Sequence, residues 1–480
     1  MPRFVRNLFR GIPLIAVLVL FSCQTVSPPP SGEQKPGVPS DETAPETPEV
    51  PEEELPQDVA GVLLNTYEDA QDTAAALAAL EAANITEMSP DDRMAFAVLL
   101  RSQGRLEESR EQLKMVIESQ PEREDAWFSL ALTEHAAQEV EARNSALNEA
   151  LRLKPDMADA LTMRGRLSLA EKEWEVAEVD FRKAIVADPL MVDALSGLAW
   201  ALAMTDREDS ALGFLNQAVA LAPDYTYPLV DRSRVNVVLR NYNDAEEDLN
   251  KCIELEPDVP WHYLDRARIR LRHFRDFEGA QQDLETVERL DPNNFFAQVY
   301  LAGMHDELRH FSQSQAYYSR VIEMRPDYEW AALPLGKFAW MQGNYEEAAR
   351  RFAQASDADS EEFSSVLMTA LSLSRDGKRQ ESAALLQEML KRLPKSTALY
   401  EVTRFCAERT SDFYAVNALN REKNEMLRER LWFYMGAVYE DEGNATGAQA
   451  VFERLASLTG TLEYDLAWAA LNGMDGNHDS

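Results

Sequence analysis

The chain has 480 residues, is 45% hydrophobic, and carries 83 acidic against 48 basic residues for a net charge of −35. That is enough length and apolar content for a large buried core or several domains. A chain this acidic repels phosphate backbones, which argues against a nucleic-acid role and predicts no nucleic-acid partner. Its three cysteines, Cys23, Cys252 and Cys406, make no disulfide framework and no zinc-ligand spacing.

Residues 1–22 read as a signal peptide. Arg3, Arg6 and Arg10 form a basic start, and the apolar run from Ile12 to Phe21 is short for a membrane span. The run ends Leu20-Phe21-Ser22-Cys23, which resembles the bacterial lipobox, although Phe21 is bulkier than usual at its position. The resemblance implies cleavage before Cys23 and lipidation of that cysteine. Residue 24 is Gln and not Asp, which in enterobacteria-like sorting favours an outer membrane facing the periplasm over an inner membrane. The implied location is therefore a bacterial cell envelope, with the membrane reached through a lipid anchor.

Residues 23–56 read as a disordered tether. Nine prolines fall within 24–56, along with several acids and no aromatic residue. Such a segment cannot bury enough surface to offset chain entropy. Extended at about 3.1 Å per residue, it reaches on the order of 100 Å. From about Asp58 the pattern turns helical, and 57–89 read as a capping helix pair.

The centre of the chain is periodic. From Glu173 to Pro189, Ala177, Phe181 and Ala184 share one helix face in a small-large-small pattern. The pattern returns 34 residues later as Ala211, Leu215, Ala218 and Pro223, and again as Ala245, Leu249, Cys252 and Pro257. Prolines stand at 121, 155, 189, 223 and 257, then at 292, 326 and 394. The step from 257 to 292 is one residue longer than the steps before it, and the extra residue is expected in the turn at 275–278.

This period, with Trp127, Leu130, Ala131, Leu147, Ala150 and Pro155 in phase, resembles the tetratricopeptide repeat family. Leu161, Gly165, Ala177, Phe181, Ala184 and Pro189 match the same pattern, as do Leu335, Gly336, Tyr345, Ala348, Phe352 and Ala355, with Ser360 in place of proline. Trp432, Met435, Gly436, Tyr439, Ala448 and Phe452 match again near the end. The resemblance implies an all-α fold, a right-handed solenoid of helix-turn-helix repeats over 90–461. Ten or eleven units fit, with 397–428 degenerate. Residues 462–480 read as a terminal capping helix and tail.

No catalytic constellation is visible, so the expectation is no enzyme and no cofactor. The six histidines form no His-Glu-x-x-His motif. His305 and His310, five apart, are expected on different helix faces, so no metal site is expected. Cys252 and Cys406 read as buried thiols.

The family resemblance implies that the first helix of each unit lines a groove. Position 9 of successive units gives Leu132, Arg166, Trp200, Arg234, Arg268, Gly303 and Lys337. Position 12 or 13 adds Met204, Arg272, Trp340 and Met341, and position 2 adds Tyr227, Trp261, Phe296 and Trp330. The candidate groove residues are Arg166, Trp200, Arg234, Arg268, Arg272, Lys337 and Trp340. Arginine suits carboxylates and aromatics suit interfaces, so an acidic peptide or protein partner is expected. Internal pairing of these arginines with Asp231, Asp265 or Glu171 is the competing reading. Arg164, Arg232 and Arg266, at position 7, read as structural. The expected function is a lipid-anchored protein–protein interaction scaffold. The alternative is a solute-binding or transport-accessory lipoprotein that encloses a small ligand.

Overall fold

The computed structural model describes residues 88–358, 363–455 and 460–472. The signal peptide, Cys23, the tether, nearly all of the expected N-terminal cap, Ser360 and the C-terminal tail lie outside the described residues. The described residues form 23 α-helices and contain no strand. They fall into two compact units, 88–248 and 249–472.

In the first unit α1 (Pro90–Ser102) pairs with α2 (Leu106–Ser119), and α3 (Glu124–Ala136) with α4 (Val140–Leu153). Next come α5 (Ala158–Ala170) with α6 (Trp174–Ala187), α7 (Val192–Ala203) with α8 (Glu208–Leu221), and α9 (Thr226–Val238). The unit boundary falls inside α10 (Tyr242–Leu255).

The second unit continues with α11 (Pro260–Ile269), α12 (Phe277–Leu290), α13 (Phe295–Glu307) and α14 (Phe311–Met324). It proceeds through α15 (Ala332–Met341), α16 (Tyr345–Ala358), α17 (Phe363–Arg375) and α18 (Arg379–Arg392). The pair α19 (Ala398–Glu408) and α20 (Phe413–Arg421) is short, and α21 (Glu425–Asp441), α22 (Ala445–Arg454) and α23 (Leu462–Asn472) complete the unit.

Each second helix ends two residues before its proline: α6 at Ala187 before Pro189, α8 at Leu221 before Pro223, α12 at Leu290 before Pro292. Proline has no N–H to donate and its ring clashes with a preceding helical turn, so the helix stops there. Within each pair the chain reverses through one residue in the left-handed region. Gln138, Lys172, Asp206, Arg240 and Arg309 hold it with φ of 57 to 65°, and Gly104, Gly343, Gly377 and Gly443 occupy the same place in their pairs.

The small-large-small face is the core. Ala177, Phe181, Ala184, Ala211, Leu215, Ala218, Ala245, Leu249 and Cys252 are all fully buried. Phe181 shows what the small residues are for. Its ring lies against Gly165 of its own pair and Gly197 of the next, where added Cβ atoms would stand 2.9 Å and 2.3 Å from ring carbons. Phe352 closes on Gly336 and Phe452 on Gly436 in the same way. The position-7 arginines clamp the two helices of a pair: Arg164 to Asp180, Arg232 to Asp248 and Arg266 to Asp283, each at 2.6 Å.

The extra residue of the 35-residue step is not in the 275–278 turn. It is taken up earlier, by a π-helical turn at Arg270–Phe274 that extends α11. A π turn absorbs one residue within a helix, so the next pair keeps its register.

Gly197→Ala is expected to lower stability by about 2 kcal/mol, because the new methyl overlaps the Phe181 ring. Phe181→Leu in the same chain should recover part of that loss, since the smaller side chain leaves room. Urea denaturation of the two single variants and the double variant measures the coupling; strictly additive losses would show that the ring and the glycine do not constrain each other.

Candidate functional site

In the first unit the open polar cluster lies on the first helices of three successive pairs. Arg166 of α5 reaches across to Asp193 of α7 at 2.9 Å. Tyr225, the residue before α9, donates its hydroxyl to the same Asp193 at 3.3 Å. Tyr225 and Tyr227 stack with ring centroids 6.2 Å apart, and both remain about 40% exposed, at 41% and 42%. One turn along α9, Arg234 pairs with Asp231 at 3.4 Å. Trp200 sits half-buried on α7.

The electrostatics of this cluster are perturbed. Burial pushes the Asp231 carboxyl up to about 6 despite the opposing pull of Arg234 and Arg166. The Asp231 charge, and then burial, raise the Tyr227 hydroxyl to about 12. A carboxylate kept at an energetic cost beside exposed aromatics marks a functional-site candidate. Arg166, Tyr225, Tyr227, Asp231 and Arg234 thus form one interacting group.

In the second unit Arg268 pairs with Asp265 at 3.0 Å and also interacts with the Tyr300 hydroxyl. Arg272 lies in the π turn. Burial, then the charges of Arg272 and Arg268, pull the neighbouring His273 down to about 4, so its ring is neutral near pH 7. Trp261 and Phe296 meet edge to face at 6.1 Å.

Lys337 and Trp340 do not face an open groove. Lys337 is 2% exposed and bonds Asp306 at 2.5 Å and Asp465 at 3.0 Å. Trp340 is 7% exposed, and the Arg375 guanidinium lies over its ring at 4.2 Å. The seven residues on the repeat's position 9 and 12–13 register therefore divide. Arg166 and Arg234 share one cluster, with Trp200 half-buried on α7 of the same unit, Arg268 and Arg272 share another, and Lys337 and Trp340 are internal.

Arg166, Arg234, Arg268 and Lys337 each hold a carboxylate on their own or a nearby helix, so the face is a series of ion pairs and not a bare cationic strip. Asp193 and Tyr225 were missing from the sequence-based site. Asp193 occupies position 2 of its unit, a groove position by the repeat's own register.

The histidine expectation also changes. His305 and His310 approach to 3.4 Å between their Nδ1 atoms, with Tyr317 stacked on His305. α13 ends at Glu307 and the left-handed Arg309 turns the chain back, so helical spacing no longer separates them. Among the described residues no group of three or more His, Cys, Asp or Glu side chains has metal-holding geometry. Cys252 and Cys406 are buried free thiols, and burial pushes the Cys406 thiol up to about 12, which leaves it unreactive.

The tetratricopeptide repeat family profile matches residues 94–158, 162–226 and 305–362. The chain carries tetratricopeptide repeats. Solved structures similar to parts of it include Pseudomonas aeruginosa pilF, at 17% identity over 45% of this chain and 97% of that one, TM-score 0.41. PilW, described as a widely conserved type IV pilus biogenesis factor, shares 17% identity over 46% of this chain and 100% of its own, TM-score 0.41. YrrB, described as a tetratricopeptide repeat protein with an unusual peptide-binding site, shares 19% identity over 38% and 95%, TM-score 0.33. Among curated proteins none matches by sequence. Tetratricopeptide repeats are protein–protein interaction modules, generally without catalysis, and the fold here is that of such a scaffold.

Asp231 offers a pH test of the cluster. Its folded pKa of about 6 lies above the ordinary 3.8, so the fold favours the protonated form. Stability from this residue is present below pH 3.8 and is lost as pH rises through 6. Asp231→Asn should therefore be more stable than wild type by about 3 kcal/mol at pH 7.5, with the gap closing towards pH 4. Urea melts at the two pH values decide it; a variant less stable at pH 7.5 would mean that the Arg234 pairing outweighs burial.

Proposed function

We propose that the chain is a lipid-anchored scaffold of a bacterial cell envelope that binds acidic peptide or protein segments on its first-helix faces. The observation that carries this reading is the cluster of Arg166, Asp193, Tyr225, Tyr227, Asp231 and Arg234. Two stacked tyrosines stand exposed beside Arg166, which pairs with Asp193 through Nη2. The Arg166 side chain is 46% exposed, which leaves donors for an incoming carboxylate. Stacked tyrosines supply rigid contact area at low entropic cost, the usual chemistry of an interface anchor.

The anchor reading rests on the basic start, the short apolar run and Ser22-Cys23. Two or more acyl chains at Cys23 meet the requirement for stable membrane attachment. No helix among the described residues is long and apolar enough to cross a membrane. The outer membrane facing the periplasm is favoured by Gln24. The alternative, a small solute enclosed by the solenoid, finds no support among the described residues.

In-cell photocrosslinking from a probe at Trp200, followed by identification of the captured protein, tests the site. Arg166→Glu combined with Tyr227→Ala should reduce that capture by about tenfold or more while helicity is kept. Undiminished capture would remove the cluster from the interface. The anchor is tested separately: labelled fatty acid should enter the wild-type chain and be lost in Cys23→Ala, and equal labelling in both would reject Cys23 as the lipidated residue.

A further inference from the structure

A helix that follows the last pair of a repeat array ordinarily covers the end of that pair alone. α23 does more. Besides α21 and α22 it packs on α15, and Asp465 bonds Lys337, 128 residues away in sequence. Glu463 accepts hydrogen bonds from Arg430 at 3.0 Å, from Tyr434 at 2.7 Å and from Ser364 of α17. Trp468 meets the edge of Phe311 at 6.3 Å, and the Arg309 guanidinium covers Tyr464 at 4.7 Å and Trp468 at 5.2 Å. One short helix thus touches the first helices α15, α17 and α21 and the turn that joins α13 to α14.

The geometry is that of a groove and not of a flat cap. Successive helical residues turn by about 100°, so Glu463 lies on one flank of α23 while Asp465 and Trp468 lie on the other. Glu463 meets the wall made by Ser364, Arg430 and Tyr434. Asp465 and Trp468 meet the wall made by Lys337, Phe311 and Arg309. Leu462, Leu466, Ala467 and Ala469 are buried along its length.

The chemistry of the contact is that of recognition. A permanent cap needs only apolar burial. Here Glu463 is 0% exposed and faces Arg430, and Lys337 is 2% exposed between Asp306 and Asp465. Buried ion pairs add little net stability, because desolvation offsets the attraction, but they set register and discriminate between partners. The face holds two buried cations, Arg430 and Lys337, and an aromatic shelf, spaced for a helix that carries two carboxylates two residues apart and an aromatic three residues further on.

We propose that this face, formed by the first helices α15, α17 and α21 with the turn joining α13 to α14, is a docking site for an acidic amphipathic helix of a partner protein, and that α23 occupies it in cis, so that partner binding and α23 docking exclude one another. The proposal goes beyond the cluster around Arg166, which lies in the other unit, and its test does not involve those residues. A tethered occupant competes at an effective concentration on the order of millimolar. An outside helix therefore binds weakly until α23 is released.

The probe is a fluorescein-labelled peptide of residues 460–472, added to the full chain and followed by anisotropy. The protein variant Glu463→Gln with Asp465→Asn weakens the internal helix and should bind the peptide at least about tenfold more tightly than wild type does. A peptide carrying the same two substitutions should bind neither protein. Equal affinity of the unaltered peptide for variant and wild type, with circular dichroism unchanged, overturns the proposal. Hydrogen exchange on the wild-type chain decides the matter even if that variant does not fold. The amides of α23 should exchange by local opening, faster than those of α15. Exchange of both together, only on global unfolding, would make α23 a fixed part of the core and overturn the proposal. Concentration-dependent dimers of the wild type in sedimentation, formed by exchange of α23 between copies, would assign the face to a second copy of this chain and also overturn it.

Discussion

The fold depends on one contact, a large side chain at the middle of each second helix inserted between small residues of its own pair and of the next. Phe181 between Gly165 and Gly197 is the clearest case. Interiors are packed as tightly as organic crystals, so the ring and the missing Cβ atoms have to be matched. No helix pair buries its apolar face alone, and stacking supplies the missing surface. Because the same residue closes one pair and opens the next, every pair depends on its neighbour, and the 34-residue period is the sequence record of that dependence.

Given that packing, the charges sort themselves by position. The position-7 arginines are internal clamps, each on a buried or nearly buried carboxylate one helix away. Of the position-9 cations Lys337 is buried, and the others are not bare. Arg166, Arg234 and Arg268 each hold an aspartate, and the cost of burying Asp231 is visible in its raised pKa. In an acidic chain a cation has many partners to choose from, so pairing is the expected state. On the proposed reading, recognition on such a face uses the exposed Arg166 guanidinium and aromatic shelves, and less net positive potential.

The repeat was legible because its signals are local. A proline two residues after a helix, and small and large residues at i, i+4 and i+7, report on one helix and its immediate neighbours. Where the structure departs from the pattern, a longer-range or finer effect decides. The 35-residue step places its extra residue in a π turn at 270–274, inside the first helix of the pair and not in the turn that follows it. His305 and His310 meet because a left-handed residue lies between them, and helical spacing does not apply across it. Asp193 was readable from its position in the unit, yet its role needed the distance to Arg166.

By itself the sequence determined the helical pairs, their period and the identity of the packing face. All of these follow from contacts within about one repeat, where chain connectivity leaves little freedom. Only the tertiary structure decided that Lys337 and Trp340 are internal and that α23 lies on the first-helix face. Those facts depend on residues 128 apart meeting after several pairs have stacked. Small rotations add up from pair to pair, and the distance across such a stack is the sum of all of them, which no single repeat encodes.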